Sequence, residues 1–106
     1  MPALRYNEGK PQLSFILDAP LAMEGLSKRF ELGAAKYERD NWKLGLDENE
    51  LVDCLLRHLS KYKNGEHYCE EFDKEGNSLG IQPHIDAVVW NAVVLSEQFH
   101  RKSNDK

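Results

Sequence analysis

No run of 18 apolar residues occurs in this 106-residue chain, so no segment of it is expected to span a membrane. The first ten residues are polar and carry nothing like the apolar core of a secretion signal. Cysteine is scarce. Cys54 and Cys69 form no CxxC motif and are too few for a disulfide framework, which points to a reducing, cytoplasmic setting. Basic charge is not in excess: 14 Lys+Arg stand against 18 Asp+Glu, a formal charge of −4. That balance argues against a dedicated duplex nucleic-acid binder, though a few converging cations suffice for a small anion. No G-x-x-x-x-G-K-S/T loop exists, so phosphate is not held in a Walker-type cradle. Sustained apolar–polar alternation is missing too, and no strand is expected.

What is present is helical. Residues 1–19 hold Pro2, Gly9 and Pro11, are followed directly by Pro20, and read as an extended arm. From Leu21 to about Glu38, Ala22, Met23, Leu26, Phe30, Ala34 and Tyr37 share one face at 100° per residue. Asp47 is placed to cap a second helix, Glu48 to Lys63, whose apolar face is Leu51, Val52, Leu55, Leu56, Leu59 and Tyr62. Asn64-Gly65 stops it, and 64–83 reads as one long acidic loop. A last helix from Pro83, suited to the first turn, to about Arg101 is apolar almost all round, with 102–106 as a frayed tail. The expected architecture is a single all-α domain over 1–106: three main helices, an arm and a loop. Two partner helices cannot cover such a last helix, so a homo-oligomer is expected to complete the bundle.

Several side chains have the right type and spacing for chemistry. Glu50 and Asp53 share one side of the second helix with Arg57. They are either half of a Mg²⁺ or Mn²⁺ site, since hard cations take carboxylate oxygens, or part of an exposed Asp53–Arg57 ion pair. His84, Asn91 and Gln98 recur every seven residues and form one polar stripe, either a register-fixing seam or a ligand site. His58 lies at the edge of its helix's apolar face, as a core imidazole or a ligand. His67 and Cys69, with His58, His84 and Cys54, are residue types that ligate zinc, but their spacing matches no standard zinc pattern. Arg5 and Lys10 flank a glycine turn, and Lys36-Tyr37 and Asn41-Trp42-Lys43 add cations and rings. These suit phosphates and bases, or else cap and pack the bundle end.

Read in order, Arg5-Tyr6-Asn7-x-Gly9-Lys10-Pro11, Gly33-Ala-x-Lys36-Tyr37-x-x-x-Asn41-Trp42, Arg57-His58-Leu59, Gly65-Glu66 and His84-x-x-x-x-x-Trp90-Asn91 make a series. The series resembles the small phage-encoded family of dATP/dGTP diphosphohydrolase N-terminal domains across about residues 5–99. The resemblance implies an α-helical enzyme that cleaves a purine deoxynucleoside triphosphate to monophosphate and pyrophosphate in the host cytoplasm. It further implies kinship with MazG-like pyrophosphohydrolases, which hold divalent metal on Glu-x-x-Glu and Glu-x-x-Asp helices. Glu50-x-x-Asp53 matches the second half, whereas Glu24, Glu31 and Glu38 are followed at that spacing by Ser27, Ala34 and Asn41.

On this reading Glu50 and Asp53 are the catalytic pair, and Glu50, Asp53, Asp73, Glu75 and His84 hold Mg²⁺ or Mn²⁺. The nucleotide meets Arg5, Asn7, Lys10, Lys36, Tyr37, Asn41, Trp42, Arg57, His58 and Asn91. Two rivals keep parts of the pattern. A nucleotide-sequestering protein needs the cations and rings without a metal, and a structural or partner-binding bundle needs only the apolar last helix.

Overall fold

The computed structural model describes residues 3–6 and 8–104. In chain order its elements are α1 (Ser14–Leu17), α2 (Pro20–Lys36), a 3-10 turn (Asn41–Leu44), α3 (Glu48–Lys63), β1 (Tyr68–Phe72), β2 (Ser78–Pro83) and α4 (His84–Asn104). The three main helices stand where the periodicity puts them. The all-α class is corrected in one place: within 64–83 the chain forms an antiparallel hairpin, not an irregular loop. Tyr68 pairs with Pro83, Cys69 with Gln82, Glu70 with Ile81 and Glu71 with Gly80, with a bulge between Glu71 and Phe72. Gly76, at φ +84°, closes the turn in a conformation that L side chains avoid.

Local chemistry sets the boundaries. Pro20 opens α2, where its missing N–H costs nothing. Asp47 caps α3 by accepting the Glu50 N–H at 3.0 Å, and Lys61 and Lys63 in the last turn face the negative end of the helix dipole. Pro83 ends β2 and is not the first helical residue. His84 opens α4, and its N–H, orphaned at a helix start, donates to the His67 carbonyl at 2.8 Å and so ties α4 to the base of the hairpin. α4 continues to Asn104, past the expected end at Arg101. Glu97–Arg101 pairing and a Ser103 hydroxyl donating to the Phe99 carbonyl support its last turns.

α2 turns a different face inward from the one its apolar residues mark. Gly25, Arg29 and Leu32 are buried, while Met23, Leu26 and Phe30 are half-buried and Ala22 is exposed. The cause is the approach of α4 at Gly25, where a Cβ would lie 2.5 Å from an Asp86 carboxylate oxygen. Close contact at the glycine rotates the helix and carries Arg29, one turn on, into the interior.

The apolar core is small: Leu32, Leu51, Ala87 and Val94. Phe30 extends it by packing on Trp42 at 5.3 Å and Trp90 at 5.9 Å between ring centres. Leu13, Phe15, Leu17 and Leu21 at the start of the chain, Val52 and Leu56 on α3, and Phe99 on α4 stay exposed. The molecule is elongated, 61 × 33 × 25 Å.

Candidate functional site

A cleft of about 790 Å³ opens between α2, α3, α4 and β1. Arg29 and Lys36, seven residues apart, present to it from one face of α2. Strand alternation turns Cys69 and Glu71 inward and Tyr68, Glu70 and Phe72 outward. Glu71 therefore meets both cations: Arg29 Nη1 donates to its Oε1 at 2.7 Å and Lys36 Nζ to its Oε2 at 2.9 Å. Burial alone would raise the Glu71 carboxyl. The hydrogen bonds from Lys36 and Arg29, with the Arg29 charge, outweigh it and hold the group down at about 2. The Arg29 side chain is only 8% exposed, and its Nε and Nη2 are buried without a hydrogen-bond partner. The indole N–H of Trp90, also against the cleft, is buried and unpaired in the same way.

Beside this triad lies a histidine pair. His58 Nδ1 from α3 and His84 Nδ1 from α4 are 2.8 Å apart, and Glu66 Oε2 lies 3.2 Å from His84 Nε2. A carboxylate there accepts the Nε2–H, which leaves the His84 Nδ1 lone pair facing His58. Burial, then the Arg29 charge and the facing His84 ring, lower His58 to about 4, so the ring is neutral at pH 7. Cys69 completes the group from β1. One nitrogen of each ring and the Cys69 sulfur lie within 4.8 Å of one another. Burial and the neighbouring Glu71 push its thiol up, away from the thiolate.

Of the residues read as nucleotide contacts, Lys36, Tyr37, Asn41, Trp42, Arg57, His58 and Asn91 line the cleft, as do Glu50 and His84. Arg5 and Lys10 are exposed on the arm and do not line it, and Asn7 lies outside the described residues. Trp42 is already engaged, against Phe30 and beneath the Arg101 guanidinium at 5.4 Å. Tyr37 is exposed, with Lys74 5.3 Å over its ring. Gln98 proves to be a seam, exchanging two hydrogen bonds with the Leu46 backbone at 2.7 and 3.1 Å. Asn91 donates to its own helix at the Ala87 carbonyl, 2.7 Å away.

The carboxylates expected to hold Mg²⁺ or Mn²⁺ are not gathered. Glu50 lines the cleft but Asp53 does not, and Arg57 turns to the Cys54 sulfur at 3.2 Å in place of Asp53. Asp73 lies at the hairpin tip, where the Asn77 and Glu75 N–H groups donate to its Oδ1 at 2.8 and 2.9 Å. Those bonds, the Asn77 one first, lower its carboxyl. Glu75 is exposed on the same turn and His84 is buried among the ring nitrogens. Among the described residues these groups form no oxygen cage for a hard cation, which needs several oxygens at close to octahedral positions. The close set of metal-capable atoms is His58, Cys69 and His84.

Arg29 and Glu71 are paired cleft residues that sequence reasoning missed. An arginine in mid-helix is ordinarily solvated. The available signal was Gly25-x-x-x-Arg29-x-x-x-x-x-x-Lys36, a small residue and two cations along one face of α2.

The model of the family described as dATP/dGTP diphosphohydrolase, N-terminal, matches residues 1–106, and the chain belongs to that family. No curated protein and no solved structure matches.

Proposed function

We propose that this member of the dATP/dGTP diphosphohydrolase N-terminal family binds a purine deoxynucleoside triphosphate in the cleft and hydrolyses it to monophosphate and pyrophosphate. The observation that carries this reading is Arg29, buried with two N–H groups unsatisfied. An unpaired buried donor on a charged group costs at least about 1–3 kcal/mol, and one carboxylate does not fill the fork. A phosphate offers more oxygens and more charge. It would displace or share Glu71 between Arg29 and Lys36, with Arg57 at the cleft edge meeting the next phosphate. Tyr37 is the exposed ring on which a base can stack, and the Trp90 N–H is a donor awaiting an acceptor.

The reaction requires water to attack the α-phosphorus as the bridging bond to the β-phosphate breaks and pyrophosphate departs with the electron pair. Glu50, the one carboxylate of the Glu50–Asp53 pair against the cleft, is assigned to orient that water and take its proton. Asp53 on the outer face of α3 and Asp73 and Glu75 at the hairpin tip stand away from Glu50, so the carboxylates do not fit a shared magnesium ion. The dispersed carboxylates favour a second reading, tight binding without turnover.

A screen of nucleoside triphosphates by calorimetry and by pyrophosphate release, in chelator, Mg²⁺ and Mn²⁺, tests both. Purine-selective binding with pyrophosphate release supports the enzyme. Binding alone supports the sequestering protein, and no binding leaves the partner-binding bundle. The assembly also includes, on this reading, a second copy of the chain over the exposed apolar arm and α3 edge. Light scattering at micromolar concentration should then give a dimer or larger, and a monomer overturns that part.

A further inference from the structure

We infer that His58, Cys69 and His84 form a binding site for one borderline transition-metal ion of the Zn²⁺ class at the floor of the cleft. The inference goes beyond nucleotide binding and does not depend on it. Three elements converge there. α3 supplies one ring, α4 the other, and β1 the sulfur, with all three donor atoms within 4.8 Å of one another. The Cys69 backbone is fixed by the ladder that pairs it with Gln82, and α4 is fastened to the base of that hairpin by the His84 N–H to the His67 carbonyl.

The donor chemistry selects the ion. Two imidazoles and a thiolate suit Zn²⁺ or Co²⁺ and repel the interest of Mg²⁺, which wants oxygen. With metal–nitrogen bonds near 2.0–2.1 Å and metal–sulfur near 2.3 Å, tetrahedral donors sit about 3.3–3.7 Å apart. The ring nitrogens, 2.8 Å apart, must spread by about half an ångström, and the sulfur, within 4.8 Å of them, must close in by no more than about 1.2 Å; side-chain torsions supply both. Binding converts the Cys69 thiol to thiolate, with its proton released to solvent, and moves the His58 proton to the outer ring nitrogen.

The second observation is the carboxylate behind the ring. Glu66 lies 3.2 Å from His84 Nε2, the arrangement in which an outer carboxylate fixes the tautomer of a metal-bound histidine and aims its other nitrogen at the ion. His84 is 1% exposed, so its orientation is set by the fold. The remaining candidates of the right type stand apart. His67 packs on Tyr62 at 5.0 Å, and Cys54 is held by Arg57. Three protein donors leave a fourth tetrahedral position, the pattern of a site that accepts an exogenous ligand.

The test uses the tag-free 106-residue chain after chelator treatment. Calorimetry with Zn²⁺ should give one ion per chain, and Co²⁺ should produce an intense sulfur-to-metal charge-transfer band beside tetrahedral d–d bands. Cys69→Ser, an isosteric change at a half-buried site, should abolish the charge-transfer band and weaken binding by at least ~10-fold; Glu66→Gln should weaken it by ~10-fold and keep the band. His67→Ala and Cys54→Ser should bind as wild type does. Absence of a stoichiometric ion, or an unchanged Co²⁺ spectrum in Cys69→Ser, overturns the inference. A chain that binds nucleotide in chelator but takes up no Zn²⁺ overturns this inference alone, and one that takes up Zn²⁺ but no nucleotide overturns only the nucleotide reading.

Discussion

Arg29 and Arg57 both line the cleft, yet one is 7% exposed and the other lies open on the outer turn of α3. The same contrast divides the whole site. On the floor, Arg29, Glu71, His58 and His84 have their polar atoms answered by one another, or left unanswered at a cost. On the rim, Glu50, Arg57 and Tyr37 are exposed. A floor charge is therefore bound up with folding, and on the proposed function with ligand binding too. A rim charge is free to act on a ligand while adding little to stability.

The sharpest way to break this contrast is to remove the floor cation. Arg29→Ala leaves Glu71, with its side chain 16% exposed, to Lys36 alone. Cutting one partner from a buried pair costs about 3–5 kcal/mol, and with Lys36 retained the lower end, about 3 kcal/mol, is expected in urea unfolding. Arg57→Ala should stay within about 0.5 kcal/mol. Equal losses in the two variants would erase the distinction.

A titration separates the regions without a mutation. The folded His58 takes a proton only near pH 4, against 6.5 for the ordinary value. Between those values the unfolded chain binds more protons, so stability is full above pH 6.5 and falls as the pH drops toward 4. The loss is on the order of 2–3 kcal/mol for a half-buried ring. Glu71, held at about 2 against an ordinary 4.5, adds a further fall below pH 4.5, since its stabilisation is lost as the carboxylate is protonated. Thermal melts of chelator-treated protein should show both steps, and His58→Gln should flatten the upper one. A melting temperature that stays level from pH 6.5 to 4 in wild type would contradict the burial assigned to this ring.

The rim and the two floor histidines were legible in the sequence and the Arg29–Glu71 pair was not, for identifiable reasons. Lys36, Tyr37, Asn41, Trp42 and Arg57 stand out as cations, amides and rings near helix ends, and all reach the cleft. α3 was readable to the residue because a cap, an amphipathic face and a stop signal agree there. The hairpin was hidden because its inward positions are Cys69 and Glu71, not apolar residues, so the period-2 signal is inverted. Arg29 was hidden because tertiary packing at Gly25, not apolar periodicity, decides which side of α2 is buried. The arm shows the same limit. Ser14–Leu17 forms a helical turn too short for periodicity to reveal.

For ligand binding the order reverses, and the rim should matter more than it does for folding. Arg57→Ala is expected to weaken nucleotide binding by about 1–3 kcal/mol, the range for a hydrogen bond to a charged group, with unfolding unchanged. Lys36→Ala should lose affinity and stability together, because its ammonium bonds Glu71. Calorimetry beside urea unfolding on both variants reads the difference. If Arg57→Ala binds as wild type does, the rim cation is structural decoration and the phosphate path stops at Lys36.

The smallest effect is expected at Asp53, and it bears most directly on the chemistry. Glu50 and Asp53 lie three residues apart on α3, but Glu50 alone faces the cleft. Were they a working metal pair, neutralising Asp53 would remove turnover by at least about 10²-fold, since the ion stabilises developing charge. With Asp53 exposed and Arg57 turned to Cys54, Asp53→Asn should leave pyrophosphate release within about twofold and stability within about 0.5 kcal/mol. Glu50→Gln should lower release by about 10²-fold, the usual contribution of a positioned base, and leave the helix cap intact because Asp47 bonds the Glu50 backbone and not its side chain. Pyrophosphate release from the two variants, each in chelator and in Mn²⁺, decides between these accounts. A large, Mn²⁺-dependent loss in Asp53→Asn would put the reacting water on the outer face of α3, on a metal held by the Glu50–Asp53 pair, and would take the role of base from Glu50 acting alone.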